Sequence, residues 1–325
     1  MDWRIKAGIQ FVVARLPGGM QLNRALQDLR NRDPVPELRI RLLAVAQELA
    51  WAEGAGLRLQ GARVLELGTG RTPVATILMA LMGSLVYGYD RSALLSEKDT
   101  RFVCDQIVEL CGELANILGR RRSQLLADAQ RWIAEGTLEH LLEEARITYR
   151  APADATASGL RSESIDAVVS FDVVEHLSRP TLRLLNQEAR RVLMPGGFQF
   201  HAIGLGDHYA SLDRNITSAH FLKYSETTWQ LLTGNSLSYH NRIRLPEFLH
   251  LFKEDGFEAV AVDREVDPKA LRALKIQPVA RQFREYSAAE LAVHRAKVLL
   301  KQSQRQRADG IGPMTDDGED RRRAS

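Results

Sequence analysis

Glycines and carboxylates recur in this sequence at places where strands are predicted to end. The first place is Glu66-Leu-Gly-Thr-Gly70, which lies between a short apolar run and a helical pattern. Glycines let a backbone approach a ligand closely, and the start of the following helix offers unpaired N–H groups. The stretch therefore predicts a corner that binds a phosphate or a nucleoside. A turn that binds no ligand is the alternative.

Two aspartates follow later predicted strands at positions that suit a nucleoside. Asp90 comes about twenty residues after the glycine turn, where a carboxylate can accept hydrogen bonds from both hydroxyls of a ribose. A helix N-cap is the alternative role for Asp90. Asp154 follows a short strand predicted at 147–149, and an acid there is expected to accept a hydrogen bond from an adenine amino group.

Histidines near the later strands are the candidate bases. A histidine with a pKa of about 6.5 can accept a proton near neutral pH. His208, within Asp207-His-Tyr209, is the first choice, and Asp207 is expected to orient it. His176 and His201 are the other candidates. His201 lies inside the predicted fifth strand, so a buried structural role is equally open for it.

The elements that would position these residues alternate between strands and helices. Short apolar runs predict five strands, and helical patterns separate them, with strands near 64–67, 84–90, 147–149, 165–170 and 198–203. This order predicts an α/β fold of the Rossmann-like, doubly wound type with a mainly parallel sheet. A sixth strand is predicted at 257–262 and a last helix at about 287–302.

Five parts are predicted along the chain. The sequence is expected to divide into an N-terminal helical extension (1–60), a core (61–203), an irregular insertion (204–244), a C-terminal part of the core with the final helix (245–303) and a disordered tail (304–325). An irregular insertion directly after a core strand is typical of a lid or a substrate-binding element.

Composition favours a soluble protein of the cytoplasm. The net charge of +3 is too small to indicate a nucleic-acid partner. Cys104 and Cys111 lie in one predicted helical stretch, too far apart to bridge, and unpaired thiols favour a reducing compartment. Neither a long apolar run nor a signal-peptide pattern is apparent.

Residues 3–16 predict an amphipathic helix whose apolar stripe has aromatic and positive neighbours. The stripe is Ile5, Ile9, Val12, Val13 and Leu16, and the flanking residues are Trp3, Arg4, Lys6 and Arg15. One interpretation is a helix packed on the core. The other is peripheral contact with the inner face of a membrane.

The ordered set of strand-end residues resembles a class I methyltransferase that depends on S-adenosylmethionine (SAM). Leu193-Met-Pro-Gly-Gly197 before the fifth strand adds to this resemblance, which covers 61–203. Thr72 stands where many members carry a further glycine. The resemblance implies SAM as the cofactor. The cofactor-binding residues that it implies are Glu66, Gly68, Thr69, Gly70, Asp90, Asp154, Ala155, Phe171 and Asp172.

The insertion resembles that of a bacterial methyltransferase subgroup associated with surface polysaccharide or glycolipid assembly. The residues that carry this resemblance are Asp207-His-Tyr209, Ser211-Leu-Asp213, Phe221-Leu-Lys-Tyr224 and Tyr239-His-Asn-Arg-Ile-Arg244. It implies O-methylation of a sugar hydroxyl in glycan or glycolipid biosynthesis. O-methylation of a small natural product or quinone-like phenol is the alternative, and a SAM-binding partner subunit without activity is another. Nucleic acid is not expected as a partner, and the oligomeric state is not predicted.

A divalent metal ion is a further alternative at the fourth strand. Asp172-x-x-Glu175-His176, with His201 downstream, resembles the set by which small-RNA ribose methyltransferases hold an ion that acidifies a hydroxyl. A Glu-His pair also occurs at this place in many methyltransferases without a metal. No metal is therefore expected.

Overall fold

The computed structural model describes residues 2–16, 19, 34–134, 136–234 and 239–303. The tail that the sequence predicts to be disordered, 304–325, lies outside these residues. No helix in the described ranges is long and apolar enough to cross a membrane.

The described strands form a single sheet of seven, in the order β3-β2-β1-β4-β5-β7-β6. They are β1 (Arg63–Leu67), β2 (Leu85–Tyr89), β3 (Ile147–Arg150), β4 (Ile165–Phe171), β5 (Leu193–Gly204), β6 (Phe257–Val266) and β7 (Val293–Gln302). Neighbours from β3 to β5 are parallel, and β7 runs antiparallel to β5 and β6. The predicted Rossmann-like, mainly parallel class is confirmed. The chain changes direction across the sheet between β1 and β4, where such sheets bind ligands.

Helices cover both faces of the sheet. In the described residues they are α1 (Trp3–Val13), α2 (Val35–Gly54), α3 (Val74–Leu81), α4 (Glu97–Glu109), α5 (Cys111–Leu118), α6 (Arg122–Ala134), α7 (Leu138–Glu144), α8 (Arg179–Val192), α9 (Glu226–Thr233), α10 (Leu245–Glu254), α11 (Pro268–Ala273) and α12 (Ala288–Leu291). Cys104 and Cys111 fall in two successive helices, not one, and both are buried free thiols.

Each face of the sheet has its own apolar core. Val64 and Leu65 are neighbours on β1, and they point to opposite faces because side chains alternate along a strand. Val64 packs in the cluster that α2 and α3 cover, whereas Leu65 packs in the cluster beneath α8 and α10. Burial on both faces explains why the core strands read as continuous apolar runs.

The prediction of a helix at 287–302 is wrong over most of that range. Only Ala288–Leu291 is helical, and Val293–Gln302 forms β7 between β5 and β6. Its alanine, lysine and leucine residues favour a helix on their own. Pairing with a strand on each side and burial of the consecutive Val298, Leu299 and Leu300 outweigh that preference.

The first helix packs through a face other than the predicted stripe. Trp3, Ala7, Gln10 and Val13 are buried, while most of the stripe is exposed, at 58% for Ile5, 46% for Ile9 and 58% for Val12. The indole of Trp3 enters an aromatic cluster of the insertion, with ring centroids 5.7 Å from Tyr209 and 5.9 Å from Trp229. The large aromatic area buried there determines the rotation of the helix.

Candidate active site

The turn after β1 requires glycine for local reasons. Gly68 and Gly70 have φ angles of +74° and +71°, which side-chain-bearing residues rarely adopt. A Cβ on Gly68 would lie 2.7 Å from a methyl group of Val173, in the loop after β4. The bare backbone of Gly68 therefore lets the loops after β1 and β4 pack closely at the junction of the two strands.

Glu66 supports the glycine turn from beneath. It is buried, and its Oε2 accepts hydrogen bonds from the hydroxyls of Thr76 at 2.5 Å and Thr69 at 3.0 Å. Burial raises the pKa of Glu66 to about 7, although these hydrogen bonds oppose the shift. Neither Glu66 nor Thr69 lines the neighbouring cavity. The cofactor contact implied for them is therefore indirect, through the shape of the turn.

A cavity of about 260 Å³ opens at the carboxyl ends of β1, β2 and β4. Residues far apart in the sequence meet in its walls. Five of the nine residues implied for the cofactor line it, namely Gly68, Asp90, Asp154, Ala155 and Asp172. Leu67, Tyr89, Val173, Leu177 and Leu185 give it apolar walls, and His176 also lines it. An apolar cleft with carboxylates at intervals suits a nucleoside that carries a charged chain.

Asp90 and Asp154, the two aspartates expected to bind the nucleoside, have different hydrogen-bond partners. Asp90 accepts a hydrogen bond from the Gly70 N–H at 2.7 Å through Oδ2, so it also holds the turn. Asp154 accepts from the hydroxyl and the N–H of Thr156, at 2.7 and 2.9 Å. These bonds lower the pKa of Asp154 and keep it an anion, ready to accept a further hydrogen bond.

Phe171 and Gly70 do not line the cavity. Phe171 is buried and packs edge-on against Phe200, with the ring centroids 5.6 Å apart. Gly70 acts through its N–H on Asp90. Thr72 accepts a hydrogen bond from Arg41 of α2 at 3.2 Å, which ties the glycine turn to the N-terminal part of the chain.

Asp172 is held by an ion-pair chain that the sequence did not predict. Its Oδ1 accepts from Arg295 of β7 at 2.9 Å, and Arg295 also donates to Glu48 Oε1 of α2 at 2.6 and 2.8 Å. Burial opposes the charge on Arg295, but the carboxylates of Asp172 and Glu48 raise its pKa above the usual range. The sequence feature that could have indicated this ion-pair chain is Glu48, a charged residue on the otherwise apolar buried face of α2.

Three histidine rings pack edge-on beyond Asp172. The ring centroids of His176 and His208 lie 5.2 Å apart, and those of His208 and His240 lie 4.7 Å apart. His176 Nδ1 is 2.7 Å from the Tyr239 carbonyl, which can only accept, so Nδ1 carries a proton, and in the neutral ring the lone pair is on Nε2. Sequence reasoning missed His240, although it lies in a stretch that carried the subgroup resemblance.

His240 and His208 differ in how their nitrogens are used. His240 accepts from the Arg242 N–H and donates to the Gly204 carbonyl, both at 3.2 Å, so neither nitrogen is free. The imidazole of His208 has no hydrogen-bond partner within the described ranges; only its backbone carbonyl accepts, from the Ser211 hydroxyl at 2.8 Å. Loss of solvent around its ring, and then the charge of His176, lower the pKa of His208. At neutral pH His208 therefore carries a free lone pair.

Glu175 lies beneath His176 and is fully buried. Its Oε1 accepts from the Gly204 N–H at 2.9 Å, and its Oε2 has no hydrogen-bond partner among the described residues. Burial, and next the charge of Asp172, raise the pKa of Glu175 to about 8. Donor atoms of Glu175, His176 and His208 all lie within 4.8 Å of one another, so these three could hold a metal ion.

His201 does not join this group. It is fully buried, with Nδ1 2.8 Å from Ser170 Oγ and Nε2 2.9 Å from Gln199 Oε1. Its ring stacks on Phe252, and burial lowers its pKa to about 3. The catalytic and metal-binding roles considered for His201 are therefore excluded by its position, and its role is structural.

Asp207 does not orient His208. Its Oδ1 accepts from the Tyr209 N–H at 2.9 Å, which caps the short helix His208–Ser211, and its Oδ2 lies 3.2 Å from His220 Nδ1. A cap must point back at the helix it starts, so the carboxylate is directed away from the ring of the next residue. The expected pairing with His208 is wrong.

A comparison with known protein families matches part of this chain. Residues 122–200 match a family model described as a methyltransferase domain, and this segment includes Asp154, Asp172 and the Glu175-His176 pair. Comparison with curated proteins finds no match. The domain match, together with the cavity, confirms the predicted enzyme class, a SAM-dependent methyltransferase, and the predicted cofactor.

Several solved methyltransferase structures are similar. A SAM-dependent methyltransferase from Mesorhizobium loti is 18% identical, covers 80% of this chain and 100% of its own, and has a TM-score of 0.44. Magnesium protoporphyrin IX methyltransferase from Synechocystis PCC 6803 is 14% identical, with 81% and 83% covered and a TM-score of 0.43. A Burkholderia thailandensis 1,6-didemethyltoxoflavin-N1-methyltransferase is 13% identical, with 81% and 79% covered and a TM-score of 0.43. At these values the likeness carries no argument about the substrate.

Proposed function

We propose that this SAM-dependent methyltransferase methylates a hydroxyl oxygen of a sugar, in the biosynthesis of a glycan or glycolipid. The observation that carries the proposal is the polar end of the cavity, where His176 lines the wall next to Asp172 and His208 packs against His176. These three side chains are exposed, and an acceptor that covers them must supply hydrogen-bonding groups, because polar groups that lose water without gaining a partner are costly. Sugar hydroxyls supply them.

The residues present fit SAM. Gly68 lines the cavity with bare backbone, which suits the close approach of a ligand. We assign Asp90 to the ribose hydroxyls and the anionic Asp154 to the adenine amino group, because both line the same cavity. Bound there, SAM supplies a methyl group on a positively charged sulfur. Asp172, fixed by Arg295, would keep a carboxylate at that end of the cavity.

The chain's own contribution to the reaction is alignment and proton transfer. The backbone turn and the aspartates hold the cofactor, which converts a bimolecular step into one between neighbours. His208 has a free lone pair and a lowered pKa, so it is the proposed acceptor of the hydroxyl proton when no metal ion is present. His176 is next to it, with Nε2 free.

The alternative acceptor is a quinone-like phenol. Aromatic residues of the insertion could stack on such a ring or equally on a sugar, and of these Tyr239 is exposed. Tyr209 and Trp229 are buried, and both pack with Trp3 of α1. Tyr224 also packs on Trp3, with ring centroids 6.0 Å apart. These rings stabilise the junction between α1 and the insertion and are not a platform for a substrate.

We further propose that α1 brings the enzyme to the inner face of a membrane, where a lipid-linked acceptor would be found. The exposed side chains of Ile5, Ile9 and Val12 form an apolar face that no described residue covers; Arg4 lies on the same helix, and Arg15 follows its C-terminal end. An apolar face with positive neighbours is suited to an anionic lipid surface. A cytoplasmic location follows from this proposal.

Mass spectrometry of surface glycans and glycolipids tests the proposed function. A strain that lacks the gene is expected to lose the mass of one methyl group from a sugar of its glycans. Expression of the wild-type chain should restore the methyl group, and expression of Asp90→Ala should not. Unchanged glycans together with a methyl group missing from a phenolic metabolite would refute the proposal. Tight SAM binding with no methyl group missing anywhere would indicate a subunit without activity.

A further inference from the structure

The buried carboxylate of Glu175 has an oxygen without a partner. Oε1 is fixed by the Gly204 N–H, and the close approach of this backbone holds the carboxylate in place, since a Cβ at position 204 would lie 2.8 Å from Oε1. Oε2 has no hydrogen-bond partner in the described part of the chain, although Glu175 is 0% exposed. Buried polar atoms are nearly always paired, so Oε2 indicates a missing ligand.

Two imidazole nitrogens with free lone pairs lie beside this oxygen. Nε2 of His176 is free because Nδ1 donates to the Tyr239 carbonyl, an arrangement that fixes the tautomer of metal-binding histidines in general. The imidazole of His208 makes no hydrogen bond among the described residues, since the Ser211 hydroxyl donates to its backbone carbonyl. One donor atom from each of Glu175, His176 and His208 fits within a span of 4.8 Å.

We propose that Glu175, His176 and His208 bind a divalent first-row transition-metal ion. Two imidazoles and one carboxylate suit Zn²⁺, Mn²⁺, Fe²⁺ or Co²⁺. Bonds of about 2.0–2.2 Å keep the donor atoms within about 4.4 Å of each other. The three donor atoms lie within 4.8 Å of one another, and a small rotation of His208 would bring them within bonding distance of one ion. His208 is free to rotate because it lies on the solvent-accessible short helix His208–Ser211.

The other polar groups nearby are already engaged. Asp172 is paired with Arg295, and both nitrogens of His201 and of His240 have partners. Three protein ligands leave coordination positions open, as in catalytic metal sites. His176 lines the cavity, so we place the open positions on the side where the acceptor enters.

The role of the ion rests on the proposed function. Two neighbouring hydroxyls of a sugar would occupy the open positions, and the ion would lower the pKa of the hydroxyl that is methylated. That hydroxyl would lose its proton to water, and its oxygen would take the methyl group as the carbon–sulfur bond breaks. Coordination uses the lone pair of His208, so the ion replaces this histidine as the means of activation.

Calorimetry with Mn²⁺ tests the site without any acceptor. The full, untagged chain is stripped with a chelator and titrated with the ion. Wild type is expected to bind one ion and to melt several degrees higher when the ion is in about hundredfold excess over its Kd. Glu175→Gln and His176→Ala should each weaken binding at least about tenfold. No saturable binding up to millimolar Mn²⁺ would overturn the proposal.

Two features of the variants keep the test decisive. Glu175→Gln retains an oxygen for the Gly204 N–H and has nearly the same size and shape as the carboxyl, so the ion-free variant should melt close to wild type. His250→Ala is the matched control, because His250 forms an exposed pair with Glu254 on α10. It should bind the ion as wild type does. Binding retained by Glu175→Gln and His176→Ala but lost in His250→Ala would assign the ion to the surface and refute the site.

Methyl transfer from labelled SAM to glycans of the gene-deleted strain separates this proposal from the proposed function. Methyl transfer that is abolished by the chelator and restored by Mn²⁺ would support both the metal site and the proposed function. Transfer that is insensitive to chelator refutes the catalytic ion and leaves the methyltransferase reaction, with His208 as the base. Stoichiometric binding of Mn²⁺ by a chain that transfers no methyl group to glycans supports the metal site and refutes the sugar acceptor.

Discussion

Replacing Asp90 with alanine is expected to weaken SAM binding by about 10- to 150-fold. The carboxylate lines the cavity, where we expect it to accept hydrogen bonds from the ribose hydroxyls. Hydrogen bonds to a charged group contribute about 1.5–3 kcal/mol, and each ~1.4 kcal/mol is a factor of ten in affinity. Isothermal calorimetry of the purified chain measures the change directly.

A second effect must be separated from the lost contact. Asp90 Oδ2 also accepts from the Gly70 N–H at 2.7 Å, so alanine frees the glycine turn as well. Asp90→Asn retains an oxygen for Gly70 and loses the charge, and it should therefore weaken binding less than alanine does. The two variants together divide the effect between the turn and the ribose.

The control is a carboxylate at the far edge of the sheet. Asp263 of β6 pairs with Lys297 at 2.7 Å and lies away from the cavity. Asp263→Ala should bind SAM as wild type does. Wild-type affinity in Asp90→Ala, with an unchanged melting temperature, would remove Asp90 from the cofactor site and undermine the assignment of the cavity.

Three further perturbations test other parts of the molecule. His208→Ala should keep SAM affinity and lose about two to four orders of magnitude in turnover, because this side chain acts on the acceptor; unaltered turnover would exclude it. Serine in place of Ile5, Ile9 and Val12 together should abolish flotation with anionic liposomes at an unchanged melting temperature, since all three are exposed. Equal flotation of variant and wild type would contradict membrane contact. His201 should make the fold acid-sensitive: its pKa is about 3 in the folded state against about 6.5 when unfolded, so the unfolded state binds one more proton between these values. Its contribution is fully present above pH ~6.5 and falls by about 1.4 kcal/mol per pH unit as the pH drops through this window. Urea unfolding of His201→Gln should lack this component, and an unchanged pH dependence would refute the assignment.

Local features account for what could be predicted about the cofactor site. Gly68 and Gly70 adopt φ angles that favour glycine, Asp90 follows β2 directly, and Asp154 lies in the loop after β3. Parallel strands bring their carboxyl ends to one edge, so residues at those ends converge once the strand order is known. The sequence pattern therefore placed Asp90 and Asp154 together without knowledge of side-chain contacts.

Long-range packing accounts for the predictions that were wrong. Val293–Gln302 has the composition of a helix, and it is a strand because β5 and β6 both pair with it. The stripe of α1 faces outward because the indole of Trp3 packs in an aromatic cluster. The residues of this cluster lie more than two hundred positions later in the sequence. Contacts across such separations leave no periodic signal in the segment itself.

The sequence by itself determined the fold class, the cofactor corner and the family of chemistry, because these depend on local backbone geometry and on the order of strands. Only the tertiary structure decided which histidines lie at the cavity and which are buried in the core. His201 and His208 are alike in sequence, but a strand buries the first between Ser170 and Gln199, whereas a short helix presents the second beside His176. The free energy of desolvation depends on surroundings assembled from distant parts of the chain, so burial and free lone pairs are properties of the folded molecule.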